Sequence, residues 1–264
     1  MVVLRITGPA EKAGMRVIQG NQGPLVSFEG IAEADLIVIQ RDFPRFWGDY
    51  RRVINLAREA GKPVVYDLDD LLVEIPDEHS HKADYTGEIL VMLYAILDAD
   101  LVTASSPNLQ AYLAELNPNS KLIHNYLDDS LWELKSPKPV SRLDSRVTIG
   151  YMGGQTHQAD LEDIKHSLLN LSSKYPDKVN FKFWGTRPPA ELLDLPSTKW
   201  DAVNFEDYAQ FASYFSQQEC DIFIAPLVNN IFDETKSSIK FLEYSSLGIS
   251  GVYSNLPPYK TIIE

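Results

Sequence analysis

Residues 147–157 read VTIGYMGGQTH, and a helical pattern at residues 159–174 follows them. The first five residues are mostly β-branched or aromatic, without the polar–apolar alternation of a half-exposed strand. Such a run is typical of a parallel strand that is covered on both faces. Gly153 and Gly154 then form a turn before the helix. The segment predicts a strand–turn–helix unit, from which α/β folds with parallel strands are built.

The same alternation extends in both directions along the chain. Strands are predicted at residues 2–6, 35–40, 63–67, 100–104, 121–124, 147–151, 180–184, 221–226 and 251–254. Between them, apolar residues recur every three or four positions, as on one face of a helix. Ser106 and Pro107 are residue types that begin helices, and Gly61 is a type that ends them. The sequence therefore predicts an α/β fold throughout.

A polar, proline-bearing segment interrupts the alternation near the middle of the chain. Prolines are disfavoured inside helices and sheets, so residues 136–145 are predicted to be a linker. It separates a predicted N-terminal domain at 1–135 from a C-terminal domain at 146–264. Each is predicted to hold its own doubly wound parallel sheet.

Composition excludes several classes of protein. The 264 residues fit one or two domains, and a hydrophobic content of 44% excludes intrinsic disorder. No apolar run reaches the roughly 20 residues of a membrane-spanning helix. The opening residues lack the features of a secretory signal, and the single cysteine, Cys220, fits a reducing cytoplasm. A net charge of −13 argues against nucleic acid as a partner.

Ligands of open parallel sheets bind beyond the carboxyl ends of the strands. Gly153 and Gly154 occupy such a position, where backbone N–H groups and a helix N-terminus favour a phosphate. The spacing is not G-x-G-x-x-G, so a dinucleotide fingerprint is not met. His157 either contacts a phosphate or sugar oxygen or caps the helix. Arg187, after the strand at 180–184, is a candidate counter-charge.

An acidic turn, Asp67-Leu68-Asp69-Asp70, follows the strand at 63–67. The sequence leaves three readings open: a divalent metal site, hydrogen bonds to sugar hydroxyls, or acidic groups at a helix N-terminus. Arg41 ends the strand at 35–40, where it either contacts an anion or pairs with Asp42 or Asp67.

Two weaker candidates lie elsewhere in the N-terminal half. Gly8 follows the strand predicted at 2–6 and either lets the backbone approach a ligand or forms an ordinary turn. His79 and His81 have no cysteine or further histidine near them in the sequence, which disfavours a metal site. His79 is kept as a candidate substrate contact.

Residues 236–247 predict a helix that begins with Lys236, Ser237 and Ser238 and ends before Gly248. A lysine at a helix N-terminus is unfavourable for the helix dipole unless an anion binds there. Glu243 lies among apolar neighbours, so it either faces solvent or needs a hydrogen-bond partner, such as a ribose diol.

The order of these segments resembles the retaining family 4 of GT-B fold glycosyltransferases. The resemblance covers most of the chain, through PVVYDLDD at 63–70, DLVTASS at 100–106, HNYLD at 124–128, IGYMGGQTH at 149–157 and the run at 221–259. It implies two Rossmann-like domains that face a cleft. It also implies that the C-terminal domain binds the donor, a UDP or GDP sugar, and that the N-terminal domain binds the acceptor.

The resemblance also suggests roles for residues. Glu243 matches the second glutamate of the family's E-x7-E motif, which binds the ribose. The first position is Thr235, a departure that leaves Glu234 or Lys236 to contact the sugar. Donor-side residues are expected to be Gly153, Gly154, His157, Arg187, Glu234, Ser237, Lys240 and Glu243. Asp69, Asp70 and Lys236 are the catalytic candidates, and Gly8, Arg41 and His79 are candidates on the acceptor or sugar side.

The implied activity is a hexosyltransferase-like step of carbohydrate biosynthesis in the cytoplasm, with retention and without a metal or other cofactor. The acceptor is left open among a glycan, a lipid carrier, a protein and a small molecule, as is the oligomeric state. Alternatives are a metal-dependent transferase that uses Asp67 and Asp69, a nucleotide-sugar epimerase, and a non-catalytic module that binds nucleotide sugars. Compared with the usual length of a C-terminal domain in this family, the C-terminal domain here is expected to lack its last elements.

Overall fold

A computed structural model of the chain describes residues 3–23, 25–137 and 146–263. Two compact units are present. Unit 1 comprises the described residues within Met1–Pro76, Lys82–Tyr126 and Glu234–Ser237; unit 2 comprises those within Asp77–His81, Leu127–Asp233 and Ser238–Glu264. Most of the predicted linker at 136–145 lies outside the described residues, and the predicted domain bounds stay a prediction.

Unit 1 contains a four-stranded parallel sheet in which the spatial order of the strands follows the chain, β3-β4-β5-β6. A two-stranded antiparallel hairpin, β1-β2, precedes it. The strands are β1 (Asn21–Gln22), β2 (Leu25–Val26), β3 (Ile37–Gln40), β4 (Val64–Leu68), β5 (Leu101–Ala104) and β6 (Ser120–Leu122). Every residue of β4 is buried, as expected for a central strand that is covered on both faces.

The helices of unit 1 cover this sheet. They are α1 (Gly8–Lys12), α2 (Trp47–Glu59), α3 (Lys82–Thr86), α4 (Ile89–Asp98) and α5 (Pro107–Leu116). The predicted start of α5 is confirmed: Ser106 is the N-cap, its Oγ accepts from the N–H of Leu109 at 3.1 Å, and Pro107 opens the helix. Gly61 has a φ of +65° just after α2, as predicted for a residue that ends a helix.

The strand predicted at residues 2–6 is wrong, because Val3–Thr7 forms one turn of π-helix. A short apolar run has no periodicity that separates helix from strand. Within this turn, Arg5 is buried and pairs with Asp67 of β4, a contact that is distant in sequence. Gly8 is the first residue of α1 rather than the residue after a strand. A Cβ at this position would lie 2.6 Å from the carbonyl oxygen of Val3.

Unit 2 contains a five-stranded parallel sheet of order β11-β10-β7-β8-β9. The strands are β7 (Val147–Gly153), β8 (Val179–Gly185), β9 (Thr198–Asp201), β10 (Ile222–Ala225) and β11 (Ser250–Tyr253). β9 was not predicted, because TKWD is short and half charged. The order reverses between β7 and β10: β8 and β9 extend the sheet on one side of β7, and β10 and β11 extend it on the other.

The helices of unit 2 differ from the predicted ones at two places. They are α6 (Gln158–Asp163), α7 (Lys165–Lys174), α8 (Ala190–Leu193), α9 (Tyr208–Phe215), α10 (Ile231–Glu234, whose last residue belongs to unit 1), α11 (Ile239–Ser246) and α12 (Pro257–Ile263). The helix predicted at 159–174 is divided at Ile164 into α6 and α7. The helix predicted to begin at Lys236 begins at Ile239, and Gly248, with a φ of +67°, follows its end.

An aromatic cluster fills one face of the unit 2 sheet. Phe223 of β10 and Tyr244 of α11 stack with ring centroids 4.2 Å apart, and Phe215 of α9 contacts both rings. Trp184 of β8 completes the cluster, and all four side chains are fully buried. This packing fixes α11 against the sheet. Among the described residues, no helix is long and apolar enough to cross a membrane.

Candidate functional site

The reversal in strand order locates the candidate site in unit 2. At such a switch point the connections after two neighbouring strands diverge to opposite faces of the sheet, which leaves a crevice at their carboxyl ends. In unit 2 these neighbours are β7, which ends at Gly153, and β10, which ends at Ala225. The loops after these strands and the helix α11 supply the groups that face this edge.

The glycine turn after β7 is fixed by close backbone packing. A Cβ on Gly153 would lie 2.5 Å from the hydroxyl oxygen of Tyr151, and one on Gly185, whose φ is +80°, would lie 2.3 Å from the carbonyl oxygen of Gly153. Thr186 donates its N–H to that carbonyl at 2.7 Å. At Gly154 no atom lies within 4 Å of such a Cβ, so space for a ligand adjoins the backbone there.

His157 lies just beyond this turn and is held by a buried carboxylate. Its Nδ1 is 2.7 Å from Oδ2 of Asp160, and the other oxygen of Asp160 accepts from the N–H of Val228 at 3.1 Å. Asp160 on α6 therefore connects the loop after β7 with the loop after β10, across the switch point. This contact fixes the orientation of the His157 ring beside the glycine turn.

Helix α11 is anchored directly over the two strands at the switch point. The hydroxyl of Tyr244 lies 3.3 Å from the carbonyl oxygen of Met152 in β7 and 3.4 Å from that of Ile224 in β10. Ser238, the N-cap residue, makes no side-chain capping bond, and Lys240 stands in the first turn. The ammonium of Lys240 is 5.7 Å from the ring of Tyr151, whose hydroxyl underlies Gly153. This places a cation and a helix N-terminus beside the glycine turn, an arrangement that suits an anion.

Glu243 lies one turn further along α11 and is 6% exposed. Its Oε1 accepts from the hydroxyl of Tyr208, the first residue of α9, at 3.1 Å. Burial raises the pKa of Glu243 to about 7, although Lys240 and the bond from Tyr208 act to lower it. The carboxylate is held ready to accept hydroxyl donors at a cost in desolvation.

The carboxylates of the predicted acidic turn in unit 1 form ion pairs with arginines. The carboxylate of Asp67 accepts hydrogen bonds from Nε and Nη2 of Arg5 at 2.9 and 2.5 Å. It also accepts from Nε2 of Gln40 at 3.0 Å and from Oγ1 of Thr103 at 2.6 Å. Arg5 also donates to Oδ1 of Asn125 at 2.9 Å. With both oxygens of Asp67 bonded in this way, a metal site at Asp67 and Asp69 is not favoured. The described part of the chain contains no group of three or more His, Cys, Asp or Glu placed to hold a metal.

Asp69 and Asp70 share the guanidinium of Arg41, whose Nη1 lies 3.1 and 3.2 Å from their oxygens. Burial, followed by the charge of Asp70, raises the pKa of Asp69 to about 6 against the lowering effect of Arg41. Arg41 has a φ of +55°, and its carbonyl oxygen accepts from the hydroxyl of Tyr66 at 2.5 Å. Arg41 was predicted to contact an anion or to pair with Asp42 or Asp67, and its ion-pair partners are instead Asp69 and Asp70, which the backbone of the turn brings within reach.

The segment Glu234–Ser237 packs with unit 1. Thr235 is buried, and its carbonyl oxygen accepts from Oγ of Ser106 at 2.5 Å. Oγ of Ser237 accepts from Asn125 at 2.8 Å. Lys236, between them, is thus outside the helix that it was predicted to begin, and Lys240 takes the helix N-terminal position.

Arg187 and His79, two further predicted site residues, contact aromatic side chains. The guanidinium of Arg187 is 5.5 Å from the ring of Trp200 in β9. The ring of His79 lies 5.4 Å from that of Phe232, and its Nδ1 accepts the N–H of His81 at 3.2 Å.

Sequence reasoning missed two residues of the site. Asp160 carried a usable signal, because it lies three positions after His157 and helical residues at that spacing are neighbours. Tyr208 gave no signal in the sequence, because it lies 35 positions from Glu243 and among other aromatic residues.

Comparison with solved structures identifies the architecture. The apo form of WaaB, a lipopolysaccharide outer core galactosyltransferase, matches 86% of this chain and 59% of its own, with a TM-score of 0.51 and 13% identity. A structure described as trehalose-6-phosphate from E. coli bound with UDP-2-fluoro glucose matches 83% and 58%, with a TM-score of 0.53 and 12% identity. Apo OtsA matches the same shares, with a TM-score of 0.51 and 11% identity.

The chain has the GT-B glycosyltransferase fold. This confirms the predicted α/β class and the two Rossmann-like parallel sheets. The chain spans 58 or 59% of the length of these structures. No protein-family model and no curated protein matches the sequence.

Proposed function

We propose that this protein is a glycosyltransferase that takes its sugar from a nucleoside diphosphate sugar bound at the switch point of unit 2. The observation that carries the proposal is the position of α11. One helix, anchored on β7 and β10, presents Lys240 beside the glycine turn and Glu243 one turn further in. The spacing provides a cation for a diphosphate and a carboxylate for the hydroxyls of a ribose.

The diphosphate is proposed to lie between the Gly153–Gly154 turn and the N-terminus of α11. The first N–H groups of a helix point towards its N-terminal end, and Ser238 gives those of α11 no side-chain cap, although the N–H of Phe241 donates to the carbonyl oxygen of Ser238 at 2.9 Å. Negative charge develops on the phosphate oxygens as the sugar leaves. Lys240 and the N–H groups would stabilise that charge, and His157 would contact a phosphate oxygen.

The transfer is proposed to retain the configuration of the sugar and to need no metal. The bond between the anomeric carbon and the phosphate oxygen breaks, and a bond to the acceptor oxygen forms on the same face. The departing phosphate oxygen takes the proton of the acceptor hydroxyl, so no protein base is required. Asp69, Asp70 and Lys236 remain the candidates for contacts around the transferred sugar, and unit 1 is the proposed acceptor side. The proposed location is the cytoplasm.

Isothermal titration of the whole chain with UDP, GDP and dTDP tests the binding step. One nucleotide is expected to bind, and Lys240→Ala and Glu243→Ala are expected to weaken it at least about tenfold. Lys260→Ala, which changes an exposed lysine on α12, is the matched control. Failure of all three nucleotides to bind would overturn the proposal. Binding without donor hydrolysis or transfer to any acceptor would instead identify a non-catalytic module.

A further inference from the structure

We infer that Thr186 is a positioning residue, which directs two backbone N–H groups of the glycine turn towards the diphosphate. These N–H groups belong to Gly154 and Gln155, and they are called the turn N–H pair here. The inference rests on the proposed function, because it names the groups that hold the diphosphate at that same site. All three residues belong to unit 2.

Thr186 holds the carbonyl oxygens of two successive peptide units. It follows β8 directly and is fully buried. Its N–H donates to the carbonyl oxygen of Gly153 at 2.7 Å, and its Oγ1 lies 2.9 Å from the same oxygen. Oγ1 also donates to the carbonyl oxygen of Gly154. A threonine hydroxyl carries one hydrogen, which these two carbonyl oxygens share.

The planarity of the peptide bond converts these contacts into a direction for the N–H groups. In a trans peptide unit, the form of every described peptide bond in this chain, the C=O and the N–H point in opposite directions. The carbonyl of Gly153 shares a unit with the N–H of Gly154, and the carbonyl of Gly154 shares one with the N–H of Gln155. Because both carbonyls are directed to Thr186, both N–H groups point away from it.

The turn N–H pair is available to a ligand. Gly154 and Gln155 are exposed, and within the described part of the chain neither N–H donates to another residue. No described atom lies within 4 Å of the position that a Cβ on Gly154 would occupy. Two successive N–H groups that point to one side form a concave site for an anion.

Other contacts hold the turn in the same orientation. The N–H of His157 donates to the carbonyl oxygen of Gly154 at 3.1 Å, and Nε2 of Gln155 donates to that of Gly185 at 2.8 Å. Of these contacts, those of Thr186 reach both carbonyl oxygens of the turn. Donors that are fixed in advance stabilise charge on a phosphate without reorienting as the reaction proceeds.

Titration of the whole chain with UDP, GDP or dTDP, whichever binds, tests the inference. Thr186→Val removes the hydroxyl but keeps the N–H and the branched side chain, and is expected to weaken binding about tenfold. Thr186→Ser keeps the hydroxyl and is expected to recover most of that affinity. The matched control is Thr198→Val on β9, whose buried Oγ1 has no hydrogen-bond partner among the described residues. It is expected to bind as the wild type does.

Gln155→Pro tests the pair directly, because proline has no N–H. Proline suits the position, since Gln155 opens the short 3₁₀ helix Gln155–His157 and Gly154 before it is extended, with a ψ of 168°. Gln155→Ala removes the same side-chain hydrogen bond but keeps the N–H, so it is the matched control. The proline variant is expected to bind the diphosphate about tenfold more weakly than the alanine variant.

The matching nucleoside provides the discriminating measurement, because it lacks the phosphates. Its affinity, measured by ligand-observed NMR, is expected to be equal in the wild type, Thr186→Val and Gln155→Pro. A loss in Thr186→Val that is the same for the nucleoside and the diphosphate would indicate a general packing role and overturn the inference.

Two other results would overturn the inference and leave the proposed function intact. They are an unchanged diphosphate affinity in Thr186→Val, and equal diphosphate affinities of Gln155→Pro and Gln155→Ala. If thermal melting shows that Thr186→Val does not fold, the comparison at Gln155 decides. Failure of the wild type to bind any of the three diphosphates would overturn the proposed function and the inference together.

Discussion

The carboxyl edges of the two sheets differ in strand order and in content. In unit 1, β3 to β6 lie side by side in chain order, and the carboxylates at their ends are bonded to Arg5 and Arg41. In unit 2 the order reverses between β7 and β10, and the edge carries glycine turns, the start of α11 and Glu243. A reversal separates neighbouring loops and leaves a crevice, whereas loops that all run one way pack together. The comparison assigns the edge of unit 1 largely to stability and that of unit 2 to binding.

The largest expected effect tests the structural role of the unit 1 edge. Arg5→Ala leaves the buried carboxylate of Asp67 without its main partner, and is expected to lower the free energy of unfolding by about 3–5 kcal/mol. Urea unfolding followed by circular dichroism measures it. The control is Arg16→Ala, in an ion pair with Glu33 whose side chains are 71 and 66% exposed, for which less than about 1 kcal/mol is expected. Equal losses in the two variants would contradict the assignment.

The next effect concerns stability against pH. Burial raises the pKa of Glu243 in the folded chain from the usual 4.5 to about 7. Between these values the unfolded chain releases a proton that the folded chain keeps, so the free energy of unfolding falls as pH rises, by about 3 kcal/mol at most. Asp69 acts in the same direction from 3.8 to about 6. Between pH 6 and 7, Glu243→Gln should therefore reduce the decrease of the free energy of unfolding with pH, whereas Asp69→Asn should leave that decrease nearly unchanged. A fall that Glu243→Gln leaves unchanged would show that this carboxylate is already ionised.

The third prediction separates the two edges by nucleotide affinity. At pH 8, Glu243→Gln is expected to weaken binding of the nucleotide found by titration by about 1.5–3 kcal/mol, because a charged acceptor for the ribose hydroxyls is lost. Asp70→Asn, at the edge of unit 1, is the matched change and should leave that affinity unaltered. The reverse pattern would place the nucleotide on unit 1.

The smallest expected effect concerns Tyr208, which orients the carboxylate of Glu243. Tyr208→Phe removes one hydrogen bond and is expected to weaken nucleotide binding by about 0.5–1.5 kcal/mol near pH 7. Because that bond lowers the pKa of Glu243, its loss should also move the pH dependence of binding to higher pH. Tyr214→Phe, on the same helix, is the control. A loss of affinity that is identical at all pH values would indicate a packing role only.

Much of the architecture was readable from local sequence. Eight of the nine predicted strands overlap observed strands, because continuous β-branched and apolar runs suit buried parallel strands. The start of α5 at Ser106 and Pro107 and the end of α11 before Gly248 followed from capping chemistry. The exceptions were short elements: the π-helix at Val3–Thr7 and the strand β9 have too few residues to show a period.

The candidate site was only partly readable. Gly153, Gly154, Lys240 and Glu243 were selected because their residue types suit a diphosphate and a ribose. Their placement around one switch point came from the strand order, which no local pattern contains. The acidic turn was correctly placed at the end of a strand, but its pairing with Arg41 required the fold.

By itself, the sequence determined the α/β class, most strand and helix positions and the residue types available for binding. Those properties depend on neighbours within about four positions, through hydrogen bonding and side-chain periodicity. The tertiary structure alone decided that Arg5 meets Asp67 across 62 positions and that Tyr208 meets Glu243 across 35. Such pairs form because a buried polar group without a hydrogen bond costs free energy. Which partner lies within hydrogen-bond distance depends on how the whole chain packs.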